Sequence, residues 1–124
     1  MYGNLQCKGI LTFKLTAQSC VYISDYDGPG GMVEFSLSDS EDTATLPALG
    51  ITEEITGEIG EIVTIVTAGE WEGDVDFAPG TVLYVDGSGI LSDSAGTNVQ
   101  QMGQVMKQGT TDGLFYVYGC GQMG

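Results

Sequence analysis

Short runs in which apolar and polar residues alternate recur along this chain, each closed by glycine, and a period of two is the period of β-strands. The cleanest is Met32-Val33-Glu34-Phe35-Ser36-Leu37, which puts Val33, Phe35 and Leu37 on one face. Residues 10–15 alternate in part and predict a first strand, and residues 20–24 a second. Residues 46–51 and 61–67 are apolar enough for central strands. Residues 81–85, Ile90-Leu91 and residues 114–118 complete the series. From Glu70 to Phe77 the acids Glu70, Glu72, Asp74 and Asp76 alternate with Trp71, Gly73, Val75 and Phe77, which predicts an exposed strand with carboxylates facing water. The one stretch with any helical spacing, residues 99–106, carries Gly103 at its centre and reads as a strand or bulged strand, with a short helix as the alternative.

The order of these signals occurs twice. Val21-Tyr22-Ile23 is answered by Leu83-Tyr84-Val85, Asp27-Gly28 by Asp86-Gly87, and Leu37-Ser38-Asp39-Ser40 by Leu91-Ser92-Asp93-Ser94. Leu49-Gly50-Ile51 is then answered by Met102-Gly103-Gln104, and Gly60-Glu61-Ile62-Val63 by Gly113-Leu114-Phe115-Tyr116. Two copies of one small β unit are expected, unless Tyr-centred strands and Asp-Gly turns merely recur in a glycine-rich β protein. The fold predicted is all-β: a compact barrel or sandwich built from two similar small β units in a single domain over residues 1–124. Within it, residues 1–8 read as a flexible N-terminal arm and 9–69 as the first unit. Residues 70–80 read as an acidic connector strand, 81–119 as the second unit and the glycine-rich 120–124 as a flexible tail.

Charge removes whole classes of function. Seventeen acids face three lysines and no arginine, for a formal charge of −14. Nucleic-acid binding needs clustered cations to neutralise phosphate, and none are present. Anionic membrane surfaces are disfavoured for the same reason, and no segment has the length of a spanning helix. A self-repelling surface of this kind suits an exposed position or a basic partner.

Candidate chemistry is sparse. Without histidine, Ser-His-Asp and Cys-His nucleophile schemes are unavailable. Glu53, Glu54, Glu58, Glu70 and Glu72 could supply a glycosidase pair, but nothing in their spacing points to the apolar cleft that such a pair needs. No catalytic residue, metal or cofactor is therefore expected. Asp25-Tyr26-Asp27-Gly28 has the opening of a calcium loop, yet its twelfth position is Ser36 and Pro-Gly-Gly follows, so it reads as an acidic turn. Cys7, Cys20 and Cys120 lack zinc spacing and read as buried or half-buried thiols. With no basic-then-apolar leader at its start, the chain is expected to be made in a reducing cytoplasm. Trp71, Tyr26 and Phe77 are the aromatic candidates for a subunit interface or a glycan platform, although strand aromatics are more often core, and core packing is the first reading, ahead of interface and then glycan.

Cys20-Val21-Tyr22-Ile23 with its glycine-rich turn, Ser38-Asp39-Ser40, Pro47-Ala48-Leu49-Gly50-Ile51 and Gly57-Glu58-Ile59-Gly60-Glu61 follow one another in a familiar succession. So do Pro79-Gly80-Thr81-Val82-Leu83-Tyr84-Val85, Gly89-Ile90-Leu91-Ser92 and residues 99–105. Together they resemble a β module of tailed-bacteriophage virion proteins, found in capsid decoration (cement) proteins, head fibres, neck whiskers and tail fibres. The resemblance runs from about residue 9 to residue 119. It implies a trimeric, non-enzymatic structural protein made in the host cytoplasm. A decoration protein bound in many copies to the major capsid protein on the capsid exterior is the first expectation. A trimeric head-fibre, whisker or tail-fibre module contacting host glycan or another fibre protein is the alternative. The arm residues Met1, Tyr2, Asn4, Leu5 and Lys8 are the candidates for contact with the shell or a partner.

Overall fold

The computed structural model describes residues 3–119, which form nine strands and one short 3-10 turn. The strands are β1 (Asn4–Leu11), β2 (Cys20–Asp27), β3 (Met32–Leu37), β4 (Gly50–Thr52) and β5 (Ile62–Val75), then β6 (Val82–Val85), β7 (Leu91–Ser92), β8 (Gln101–Lys107) and β9 (Gly109–Val117). All belong to one sheet of order β1-β3-β2-β4-β5-β9-β8-β6-β7. Strand β1 also pairs with β5, so the first five strands close into a barrel with no free edge. Inside it lie Leu11, Leu15, Val21, Phe35, Val63 and Ile65. Phe35 is fully buried, and removing such a side chain from water stabilises the fold by about 1.5–3 kcal/mol.

The second half of β5 leaves the barrel and carries β9, β8, β6 and β7. This sheet curls over a second core of Trp71, Val75, Leu83, Val85, Val105 and Phe115. Its far end returns to the barrel, where the Cys20 N–H donates to the Gly89 carbonyl at 2.7 Å.

The same strand order occurs in both halves: β3-β2-β4-β5 and β7-β6-β8-β9. The register agrees at the paired glycines, since Val21 lies opposite Gly50 and Leu83 opposite Gly103. It differs at the last strand. Ile51 faces Val66 whereas Gln104 faces Tyr116, so the structural counterpart of Tyr116 is Val66 and not the Val63 that the sequence match pairs with it. Both repeated glycines are held by close approach. A Cβ on Gly50 would run into the Val66 carbonyl, and one on Gly103 into the Tyr116 carbonyl.

The arm expected over residues 1–8 is strand from Asn4 onward, paired to β5 from Asn4↔Gly69 to Ile10↔Ile62. Cys7, Gly9 and Leu11 supply the inward period, but a register shift between Leu5 and Gln6 breaks it, and Asn4, Leu5 and Gln6 are all exposed. Residues 1–2 and the tail over 120–124 lie outside the described residues. Asp25 to Asp27, expected as a turn, are the end of β2, paired with Glu34, Val33 and Met32. The strand expected over residues 46–51 shrinks to Gly50–Thr52. Its first part bonds to a side chain instead, the Gln100 amide, which accepts from Ala48 N–H at 2.7 Å and donates to Ala48 C=O at 3.0 Å. Residues 101–107 are strand rather than helix. The acidic segment expected as an exposed strand is strand over its first six residues, which are the end of the 14-residue β5, with Glu72 and Asp74 exposed.

Gly69 lies at the centre of this arrangement. Asn4 of β1 and Val117 of β9 both take it as their partner, from opposite sides. Its φ of +99° and the Gly3 carbonyl 2.6 Å from a would-be Cβ allow only glycine there.

Candidate functional site

The sequence candidates do not gather at one place. Met1 and Tyr2 lie outside the described residues. Asn4, Leu5 and Lys8 stand exposed along β1. Tyr26 is 59% exposed near the tip of the β2–β3 hairpin. Trp71 is 2% exposed, which leaves no open ring face for a sugar. Its ring meets Phe115 edge-on at 6.3 Å, and its indole N–H donates to Thr52 C=O at 3.0 Å. Core packing therefore describes Trp71, because a strand alternating with exposed acids turns it inward.

Trp71 and Phe77 do share a groove of about 610 Å³. It is the cleft that the carboxylate spacing did not reveal. Its walls come from segments far apart in the chain: the turn before β2, the segment after β4, the end of β5, the start of β7 and the start of β9. Gln18 ties these walls together. Its amide donates to Glu53 C=O at 3.1 Å and Glu72 C=O at 3.2 Å, and its Oε1 accepts from Asp74 N–H at 3.4 Å. Gly73 makes room for that arrangement, since a Cβ there would meet both Gln18 and the Trp71 ring. Ile55, Phe77, Ile90 and Leu91 give the groove its apolar surface, and Glu53, Glu72, Asp74 and Asp76 give it acid. All four carboxylates are exposed, whereas a general acid has to be taken out of water. Among the described residues one ion pair forms, Lys107 with Asp112 at 3.1 Å, outside this groove.

Two carboxylates are held below their ordinary range. Thr97, through its hydroxyl and N–H, and then the Ser40 hydroxyl lower Glu41. Lys107 lowers Asp112. The Glu41–Thr97 contact, with Asn98 N–H and Nδ2 both donating to Ser40 C=O, fastens the acidic loop of the first half to the second half. Burial, reinforced by the Asp86 carboxylate, pushes the Cys20 thiol far up. Among the described residues, no three Cys, Asp or Glu side chains gather as metal ligands, and no helix is long and apolar enough to cross a membrane.

Exposed aliphatic side chains also stand at the two ends of the β1–β5 pairing, Leu5 at one and Ile62 with Ile59 at the other. Leu5 is 67%, Ile59 69% and Ile62 59% exposed, and Ile62 lies opposite Ile10. Sequence reasoning picked out Leu5 alone, because the other three read as ordinary strand and turn apolars.

No protein-family model matches the sequence, and no curated protein matches it. Among solved structures the chain is similar to the head fiber gp8.5 N base in bacteriophage phi29, with a TM-score of 0.55 and 10% identity over 95% of each chain. At that identity the two share a fold.

Proposed function

We propose that this protein is a structural component of a tailed-phage virion, displayed on the outside of the head. The likeness to a head-fibre base carries the reading, because it covers 95% of both chains. The absence of histidine and the solvation of the groove carboxylates support a structural rather than catalytic role.

Two forms share this reading. The fold likeness supports a head-fibre or whisker base. The exposed aliphatics at the two ends of the β1–β5 pairing support a decoration (cement) subunit, since a lateral contact with the major capsid protein that spans the pairing would cover Leu5 at one end and Ile59 with Ile62 at the other. In either form a homotrimer with Asn4, Leu5 and Lys8 at the contact is proposed, and repetition at symmetry axes would turn weak contacts into avidity.

Gold-labelled antibody against the chain, applied to intact virions, tests the reading. Label over the whole head surface is expected of a cement subunit, and sparse label at discrete projections of a fibre base; label confined to the tail, or none, overturns it. Purified protein added to undecorated shells should bind, and Leu5→Asp should abolish binding without unfolding a residue that is already exposed. Sedimentation should give the mass of three chains.

A further inference from the structure

We propose that the second half of the molecule is a barrel with one unpaired seam, between β5 and β7, and that residues 18–20 act as a clasp across it, so that the second half opens there while the first stays closed. The inference goes beyond the virion reading and does not depend on it.

The two halves supply the comparison. In the first, β1 lies between β5 and β3 and closes the barrel through the parallel pairs Gly9↔Val33, Ile10↔Glu34 and Leu11↔Phe35. In the second, the end of β5 takes the place of β1. With Val66 and Tyr116 as counterparts, Gln6, Cys7 and Gly9, which face Val66, Ile65 and Val63, correspond to Glu70, Trp71 and Gly73, which face Tyr116, Phe115 and Gly113. Two residues further on, Leu11 corresponds to Val75, and both are buried. Strand β7 likewise takes the place of β3. Two positions past the matched Val21 and Leu83, Ile23 faces Phe35 and Val85 faces Leu91, so Phe35 corresponds to Leu91. The pairs that would close the second barrel are therefore Gly73 with Gly89, Asp74 with Ile90 and Val75 with Leu91. None of them forms, because β5 and β7 do not pair. Gly73, Asp74, Ile90 and Leu91 line the groove of about 610 Å³ instead. The groove is the place of the missing ladder.

Residues 18–20, which belong to the first half, span this gap. On the β5 side the Gln18 amide donates to Glu72 C=O at 3.2 Å and accepts from Asp74 N–H at 3.4 Å. On the β7 side the Cys20 N–H donates to Gly89 C=O at 2.7 Å. These are the edges a ladder would use. Glu72 and Asp74 hold the positions of Lys8 and Ile10, and the next residue on that side of β1, Thr12, donates its N–H to Phe35 C=O at 3.1 Å. Ser19, between the two ends of the clasp, is fixed to the first half: its N–H donates to Thr52 Oγ1 at 3.0 Å and its C=O accepts from Thr52 N–H at 2.9 Å. One backbone N–H and one side-chain amide thus stand where three paired residues close the first barrel. A side-chain amide also keeps rotamer freedom that a strand has already lost, so holding it in place costs entropy. Local opening begins where backbone bonds are few and exposed, and here that is the second seam.

Native-state hydrogen exchange on the full chain tests the clasp. Asp74 N–H and Cys20 N–H are bonded at the two sides of the second seam, and Thr12 N–H at the first. A single opening should release Asp74 and Cys20 together, with protection factors within about threefold of each other and at least about tenfold below that of Thr12. Gln18→Ala should speed exchange at both by about tenfold and leave Thr12 within about twofold of the parent. Cys20 is the decisive probe, because its N–H is bonded to Gly89 and responds to Gln18 only through opening of the seam. Gln104→Ala is the control: it removes a side-chain bond to Gly80 C=O within the second half, 3.2 Å long and away from the seam, and should leave Asp74 and Cys20 within about twofold. Acceleration at Asp74 alone would show a local bond with no opening behind it. Equal acceleration at Thr12 would show that the whole molecule has loosened, and parental protection as high at Asp74 and Cys20 as at Thr12 would show a seam as firm as the first. Each of these results overturns the proposal.

Discussion

Replacing Gly50 or Gly103 with alanine should destabilise the protein by similar amounts, because the two glycines do the same thing in the two halves. Each lies in a strand pressed against the carbonyl of the next one, Val66 for Gly50 and Tyr116 for Gly103. A carbon and a carbonyl oxygen rest no closer than about 3.3 Å, so the strands must part by about 1 Å. That exceeds the spread of good N–H···O distances, about 2.7–3.2 Å. One buried ladder bond is then lost or badly stretched, at about 1–3 kcal/mol, and the displaced neighbours add overpacking strain of about 1–3 kcal/mol. Alanine's lower chain entropy when unfolded returns about 0.4–1 kcal/mol. The net expectation is about 3 kcal/mol for each variant, which for a chain of this size lowers Tm by about 10 °C. Gly28→Ala is the control, since nothing lies within 4 Å of its would-be Cβ, and it should stay within about 0.5 kcal/mol of the parent. Equilibrium unfolding in urea, followed by the fluorescence of Trp71 and by circular dichroism, gives all three values. If either glycine variant matches Gly28→Ala, the close approach does not constrain the backbone; if one collapses and the other is tolerated, the two halves do not share the device.

Gln100→Leu keeps the side-chain volume but strands the buried Ala48 N–H and C=O, and should cost about 3 kcal/mol in urea unfolding; a loss under 1 kcal/mol would mean that Ala48 finds other partners. Glu41 has a folded pKa below its ordinary 4.5, so its contribution is present above 4.5 and fades as pH falls through the lower folded value. The Thr97 amide resonance should therefore move as pH drops below 4.5, and should stay still in Glu41→Gln; the same titration in both would assign it to another group. The buried Cys20 thiol should resist iodoacetamide in the native protein at neutral pH and react once urea unfolds it, whereas rapid native labelling would show that the second core, to which Cys20 belongs, opens readily.

Period-two alternation located most strands, and where it was clean, as over Met32–Leu37, it fixed both ends. Elsewhere bulges hid it. Shifts between Leu5 and Gln6 and between Ile23 and Asp25 concealed the start of β1 and the end of β2. Residues 46–49 look like a strand because they are apolar, but the Ala48 backbone is satisfied by Gln100, 52 positions away, which no local pattern can announce. The repeat was visible because its turns and close-approach glycines demand particular residues. It slipped at the final strand because a Val/Ile run pairs equally well in several registers. The groove was illegible for a topological reason: its carboxylates and apolar walls come from segments that only the return of the second sheet brings together.

The sharing of Gly69 has a practical consequence for engineering. Because β1 begins and β9 finishes against the same residue, Asn4 and Val117 stand two strand spacings apart, roughly 10 Å. A linker of a few residues, each reaching about 3.3–3.6 Å, could join them, and new ends could be opened in the exposed Gly28–Gly31 tip. A circular permutant built this way would retain every strand pairing. Conversely, two passengers joined just before Asn4 and just after Val117 would be carried side by side, and the module could be spliced as a unit into a loop of another protein.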